Sequence, residues 1–168
     1  MNPTVLITYA TKHGSTREVA ETIARAVEQH GLSVDVHPAR EVGDLTGFDA
    51  VILGTALYMG RPHADARRFP KRYHEPLSRV PVAVFGMGPL TTGDDDVAGA
   101  RKQLERALAA VSDVTPVSTA IFGGVVKPDD LHFPFRHMKA SDARNWADIE
   151  AWGREVATLL AERLTVPV

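Results

Sequence analysis

The sequence predicts an α/β domain built on a five-stranded, doubly wound parallel sheet with helices on both faces. Two observations predict it. Short apolar, β-branched runs alternate five times with longer stretches whose apolar residues recur at helical spacing. The first of these runs, residues 4–9 (TVLITY), is apolar without alternation, as a strand covered on both faces should be. Right-handed crossovers between parallel strands then leave few topologies.

Taken in order, residues 4–9 form the first strand and residues 15–30 the first helix. The helix carries an inward stripe of Val19, Ala20, Ile23, Ala24 and Val27, and Gly31 supplies its stop. Residues 32–37 read as a half-buried second strand. Residues 48–57, with AVILGTAL at their heart, read as a central third strand. Pro62 opens an arginine-rich helix reaching His74, and residues 80–86 (VPVAVFG) give the fourth strand. Residues 97–111 follow as a helix with Val97, Leu104, Leu108 and Val111 inward. Residues 117–122 are the fifth strand. Residues 145–164 are the last helix, with Trp146, Ile149, Val156, Leu159 and Leu160 on its buried side. Residues 123–144 are the least regular stretch, long for a strand–helix connection.

Composition narrows the function classes. The 168 residues are read as one domain, 1–168, with 44% hydrophobic and 24% charged residues. The absence of cysteine excludes disulfides, thiolate metal sites, iron–sulfur clusters and cysteine nucleophiles. A formal charge of −2 gives no broad basic field for nucleic acid, and it is not the strongly acidic balance of many dedicated electron carriers. No apolar run approaches the roughly 20 residues of a membrane span, and no basic segment precedes the first apolar run as in a signal peptide. The expectation is a cytoplasmic protein with at most peripheral membrane contact.

Motifs narrow them further. No G-x-G-x-x-G follows the first strand and no G-x-x-x-x-G-K-[ST] occurs, so the dinucleotide and P-loop fingerprints are missing. There is no H-E-x-x-H among the seven histidines and no G-x-S-x-G elbow. Thr8 and Tyr9 stand where a response regulator needs an acidic pair. What the first strand–helix junction does offer is Thr11, Lys12, His13, Gly14, Ser15 and Thr16. Ser15 with Glu18 fits a capping box, which places the helix start at this point. Free backbone amides at that start, the helix dipole, three hydroxyls and a flexible glycine suit a phosphate monoester. The alternative is a helix cap with a glycine turn and no ligand. Position favours the ligand, because doubly wound sheets bind at the carboxyl ends of their strands.

At this string the chain resembles the flavodoxin family, whose phosphate loop reads approximately T-x-T-G-x-T; His13 replaces the middle threonine. The resemblance runs element by element along essentially the whole chain. It implies strand order 2-1-3-4-5 and a bound FMN, with a deazaflavin not distinguished from it. It also places the loops after strands three and four around the flavin ring. Those loops supply Thr55, Ala56, Leu57, Tyr58, Met59 and Gly60, then Gly86, Met87, Gly88 and Pro89. Read without the family, they are two surface turns with one exposed aromatic. Many electron-carrying flavodoxins stack an aromatic from the second of these loops on the ring, and FGMGPLTTGDDD has none after Phe85.

The stretch GTALYMGRPHADARRF is similar to one in the menaquinone-dependent protoporphyrinogen oxidases, whose G-x-x-x-x-x-G-x-x-H pattern is met by Gly54, Gly60 and His63. NWADIEAWGREVA is similar to their final helix. Their long insertion after strand five is shorter here. Its counterpart carries Lys127, His132, Phe133, Phe135, Arg136, His137 and Lys139, which either receive a propionate or quinone or pin a long loop to the core. The resemblance implies an FMN-dependent oxidoreductase acting on a porphyrinogen or a quinone. A non-catalytic electron carrier between protein partners is the alternative, and a cofactor-free or nucleotide-binding adaptor is the third class. No catalytic acid or base is identified. Asp94, Asp95 and Asp96 are read as a helix N-cap, and Arg61, Arg67, Arg68, Lys71 and Arg72 as a solvated face or a docking surface for an acidic partner or membrane.

Overall fold

The computed structural model describes residues 2–12, 14–58, 60–88, 93–126 and 140–165. Five strands run parallel: β1 (Thr4–Ala10), β2 (Ser33–Pro38), β3 (Ala50–Tyr58), β5 (Val82–Met87) and β6 (Ser118–Phe122). Their spatial order is β2-β1-β3-β5-β6. A two-residue strand, β4 (Arg61–Pro62), folds back antiparallel on the end of β3. Counted over the parallel strands alone the order is 2-1-3-4-5, as the resemblance implied.

Strand composition follows position in the sheet. β5 is buried at every residue and β1 at all but its first, whereas the edge strand β2 alternates exposed Ser33, Asp35 and His37 with half-buried Val34, Val36 and Pro38. Successive residues of the inner strands face opposite layers. Val5, Ile7, Tyr9, Ile52 and Phe85 meet α1 (Ser15–Gln29) and α5 (Trp146–Thr165). Leu6, Ala10, Val51, Leu53 and Val84 meet α2 (Ala64–Arg72), α3 (His74–Leu77) and α4 (Asp94–Ala109).

In the first layer Phe85, Phe122 and Trp152 form a three-ring cluster with centroids 5.9–6.0 Å apart, and Trp152 Nε1 donates to Ser118 Oγ at 3.0 Å. A Cβ on Gly54 would lie 2.1 Å from the Phe85 ring, so this strand position admits only glycine unless the cluster shifts.

The helix expected from Pro62 to His74 differs most from what is found. Pro62 lies in β4, and the helical segment divides at Tyr73 into α2 and α3. Tyr73 is buried, its hydroxyl lying 2.6 and 3.0 Å from the carbonyls of Val42 and Gly43 in the segment between β2 and β3. α4 begins three residues earlier than expected. Its N-cap is Gly93 with no side-chain cap bond, so Asp94, Asp95 and Asp96 occupy the first turn and are not the cap. Leu104 and Leu108 are buried as expected, while Val97 and Val111 are only half-buried. In α5, Trp146 is 38% exposed and Leu159 half-buried, because the buried stripe runs through Ile149, Trp152, Val156 and Leu160.

The irregular stretch after β6 is closed at its base. β7 (Val125–Val126) pairs antiparallel with β8 (Ser141–Asp142), and the Ala143 amide donates to the Gly124 carbonyl at 2.9 Å. Lys127, His132, Phe133, Phe135, Arg136, His137 and Lys139 lie outside the described residues. Among the described residues no helix is long and apolar enough to cross a membrane.

Candidate functional site

The sheet register brings the expected site residues to one end. Ala10 pairs with Thr55 and Ala56 with Met87, so the segments following β1, β3 and β5 leave from neighbouring positions on the carboxyl edge. His13, Met59 and Pro89 lie outside the described residues. The other candidates divide by accessibility. Thr11, Lys12, Gly14, Ser15, Ala56, Leu57, Tyr58, Gly60 and Gly88 are half-buried or exposed, whereas Thr16, Thr55, Gly86 and Met87 are buried.

The first segment departs from the expected capping box. Gly14, at φ 87°, is the N-cap of α1, and no side-chain cap bond is made there. Ser15 is therefore the first helical residue, and Glu18 stands one position too late to close a box on Gly14. Thr11 Oγ1 accepts from the Gly14 amide at 3.1 Å and tightens the loop. The positive φ explains the glycine: a side chain in that left-handed region is strained even though a Cβ would meet nothing within 4 Å.

Thr16, one residue into the helix, is fully buried, and its hydroxyl has no hydrogen-bond partner among the described residues. An unsatisfied buried hydroxyl costs about 1–3 kcal/mol. Such a group beside helix amides that no side chain caps fits an oxyanion acceptor. Thr8 on β1 is also buried with its hydroxyl unpartnered among the described residues, but it lies within the strand, level with His37 and Leu53 of its neighbours.

The second segment is more ordered than a loop. Thr55, Ala56, Leu57 and Tyr58 all belong to β3, and Leu57 and Tyr58 pair with Pro62 and Arg61 of β4 across a turn containing Gly60 at φ 79°. Thr55 Oγ1 donates to the Ala56 carbonyl at 2.9 Å and accepts the His63 amide at 3.0 Å, and that amide also reaches the Ala56 carbonyl at 3.2 Å. His63 in turn caps α2, its Nδ1 accepting from the Asp65 amide at 3.1 Å.

The Gly54, Gly60 and His63 pattern thus has a structural basis. Gly54 makes room for Phe85. Gly60 turns the chain under Gln103, whose Oε1 would lie 2.3 Å from a Cβ there. His63 closes the arm and starts the helix. Tyr58, 45% exposed, is the aromatic of this segment that meets solvent.

The third segment is likewise anchored. Gly86 and Met87 are inside β5, where a Cβ on Gly86 would press Ile121, Leu57 and Leu104 at 3.1–3.2 Å. Gly88, at φ 108°, donates its amide to the Phe122 carbonyl at 2.9 Å. Beside the second segment, Arg61, Arg67, Arg68, Lys71 and Arg72 are all exposed. Arg68 lies 3.5 Å from Asp65, and the Arg72 guanidinium lies 5.2 Å from the Tyr73 ring centroid.

One residue is not anticipated from the sequence. Arg144, with a side chain 8% exposed, binds Asp142 through Nε at 2.9 Å and Nη2 at 2.7 Å, and its Nη1 reaches Glu18 and, at 3.5 Å, the Ser15 carbonyl. Its guanidinium lies 4.8 Å from the Trp146 ring centroid. The Asp142 hydrogen bonds raise its pKa above the ordinary value against the opposing effect of burial, with Glu18 adding in the same direction. A pairing across this sequence separation leaves no periodic signal in the chain.

The comparisons with known proteins agree with this geometry. The family model described as "Flavodoxin domain" matches residues 6–140. Protoporphyrinogen IX dehydrogenase [quinone] of Escherichia coli (strain K12) is 22% identical over 171 residues, covering 92% of this chain and 94% of that protein. The protein of the same name from Leishmania major is 24% identical over 128 residues, covering 74% of this chain and 55% of its own length. Among solved structures, a cysteine-to-serine mutant of flavodoxin from Pseudomonas aeruginosa superposes with a TM-score of 0.62 at 19% identity, covering 94% of this chain and 99% of that one. Megasphaera elsdenii flavodoxin gives 0.58 at 20% identity, covering 92% and 98%. With four-fifths of its length matched by the family model and the strand order in place, this chain belongs to the flavodoxin-domain family.

Proposed function

We propose that the protein is an FMN-dependent oxidoreductase that binds the flavin phosphate at residues 11–16 and the ring beside residues 55–60 and 86–89, and that acts on a porphyrinogen or a quinone. The single observation that carries the cofactor assignment is the buried Thr16 hydroxyl, unpartnered among the described residues, at the helix start that no side chain caps. A phosphate monoester would give this hydroxyl and the first-turn amides an acceptor, with little formal positive charge needed. Bound FMN would supply the redox chemistry. The protein's part would be to hold the phosphate at α1 and to present backbone at Gly60 and Gly88, both at positive φ with no side chain, where a flat ring can approach.

The substrate assignment is supported by the porphyrinogen dehydrogenases [quinone] that align with nearly the whole chain. The segment after Phe85 also has no aromatic to stack on the ring, which suits access by a small molecule. The rival reading, an electron carrier between protein partners, is supported by the flavodoxins that share the fold.

Purified protein titrated with FMN should show the perturbed flavin absorbance of a bound, yellow complex, and a spectrum identical to free FMN would reject the cofactor. With FMN bound, anaerobic conversion of protoporphyrinogen in the presence of a quinone separates the oxidoreductase from the carrier. A carrier would instead take electrons from a flavodoxin reductase without turning over either small molecule.

A further inference from the structure

The start of α1 contains an apparent contradiction. Glu18 is the acidic residue of the first turn, and a carboxylate there repels the phosphate proposed to bind at the same helix end. Arg144, 126 positions away in sequence, lies against that turn with its side chain almost wholly covered, contacting both the Glu18 carboxylate and the Ser15 carbonyl. It is fixed from behind by Asp142, which grips the guanidinium in a two-point fork and also accepts the Arg144 backbone amide at 3.0 Å. The Trp146 ring packs against the guanidinium. Arg144 and Asp142 stand at the base of the β7–β8 ladder, so the segment after β6 is tied directly to the helix start.

We infer that Arg144 is a positioning residue for phosphate recognition: it offsets the charge of Glu18 at the helix start and so sets how strongly the site prefers a phosphorylated flavin over its dephosphorylated form. This rests on the cofactor assignment above. The charges of Glu18, Asp142 and Arg144 sum to −1. Glu18→Gln brings the sum to 0, Arg144→Gln to −2, and the double variant returns it to −1. The preference for FMN over riboflavin therefore has a fixed order: Glu18→Gln above wild type, the double variant close to wild type, Arg144→Gln lowest. A charge near a helix start changes a binding constant by about two- to fivefold, so each step should be of that size at low ionic strength and shrink in salt.

The test is quenching of flavin fluorescence on titrating each apoprotein into FMN and, separately, riboflavin. A merely structural ion pair would move both affinities together and leave their ratio unchanged, and equal ratios across the four proteins would overturn the inference. If Arg144→Gln does not fold, Glu18→Gln still decides the matter, because it removes only a charge from a half-exposed side chain. Should wild-type protein bind riboflavin as tightly as FMN, the phosphate cradle itself is wrong. Should it discriminate while the variants keep its ratio, only the role of Arg144 is wrong.

Discussion

The segments after β1 and β3 leave the same edge of the sheet, yet they treat their polar groups in opposite ways. After β3, the Thr55 hydroxyl, the His63 amide and the His63 imidazole each find a partner within the same arm. After β1, α1 starts without a side-chain cap, and Thr16 is buried with its hydroxyl unpartnered among the described residues. A folded chain leaves few buried polar groups unsatisfied, so such a group at the carboxyl edge of the sheet supports the phosphate site proposed above. On that proposal the self-satisfied arm is a frame and the helix start a receptor. Substitutions in the frame should alter stability, and substitutions in the receptor should alter affinity.

The largest effect is expected in the frame, at Gly54. Gly54→Ala places a methyl 2.1 Å from a fully buried Phe85 ring that is itself wedged against Phe122 and Trp152. Overpacking of this kind costs about 3 kcal/mol, to be read from urea unfolding of the apoprotein. Unchanged stability would mean that the ring cluster is not the constraint holding glycine in this strand.

The two buried threonines give the sharpest form of the comparison. Thr16→Val keeps the shape and removes a hydroxyl without a described partner. FMN should bind about tenfold more weakly, riboflavin about as before, and the apoprotein should be as stable as wild type or more stable by about 1 kcal/mol. Thr55→Val removes a hydroxyl that accepts the His63 amide, so the apoprotein should lose about 1–2 kcal/mol with the FMN-to-riboflavin ratio unmoved. Calorimetry of both apoproteins beside flavin titration separates the cases. Matching profiles for the two variants would dissolve the distinction between frame and receptor.

How much of this is legible in the sequence depends on the range of the interaction concerned. The strands and the inward stripe of α1 rest on local periodicity and composition, and they lie where these place them; the sheet order is non-local and follows from the family resemblance, not from the pattern. The start of α1 is legible, but its cap is not. Ser15 and Glu18 satisfy the capping-box spacing, and only the positive φ of Gly14 shows that the cap lies one residue earlier. The apolar spacing of Phe69, Tyr73 and Leu77 continues across the break at Tyr73 and masks it; the signal is Pro76, which has no amide for the Arg72 carbonyl and fits the first turn of a new helix. Arg144 is invisible for another reason: its partners on α1 are brought to it by the fold, not by spacing. Trp146 reads as core by its type, but it serves as the platform for Arg144 and remains partly in solvent.

The smallest effect, and the one that best separates a frame residue from a chemical one, is expected at His63. A histidine in a pattern shared with redox enzymes invites a catalytic reading, yet its Nδ1 is engaged in capping α2 through the Asp65 amide. If capping is its role, His63→Ala should cost about 1 kcal/mol in thermal or urea unfolding, and His63→Asn, whose side-chain oxygen is a good N-cap acceptor, should restore most of it. Turnover of the FMN-loaded protein should follow the same order and recover fully in the asparagine variant. If instead asparagine restores stability while turnover stays low, the imidazole itself takes part in the reaction. His63 would then belong to the receptor side of the comparison, although every hydrogen bond the structure gives it lies within the frame.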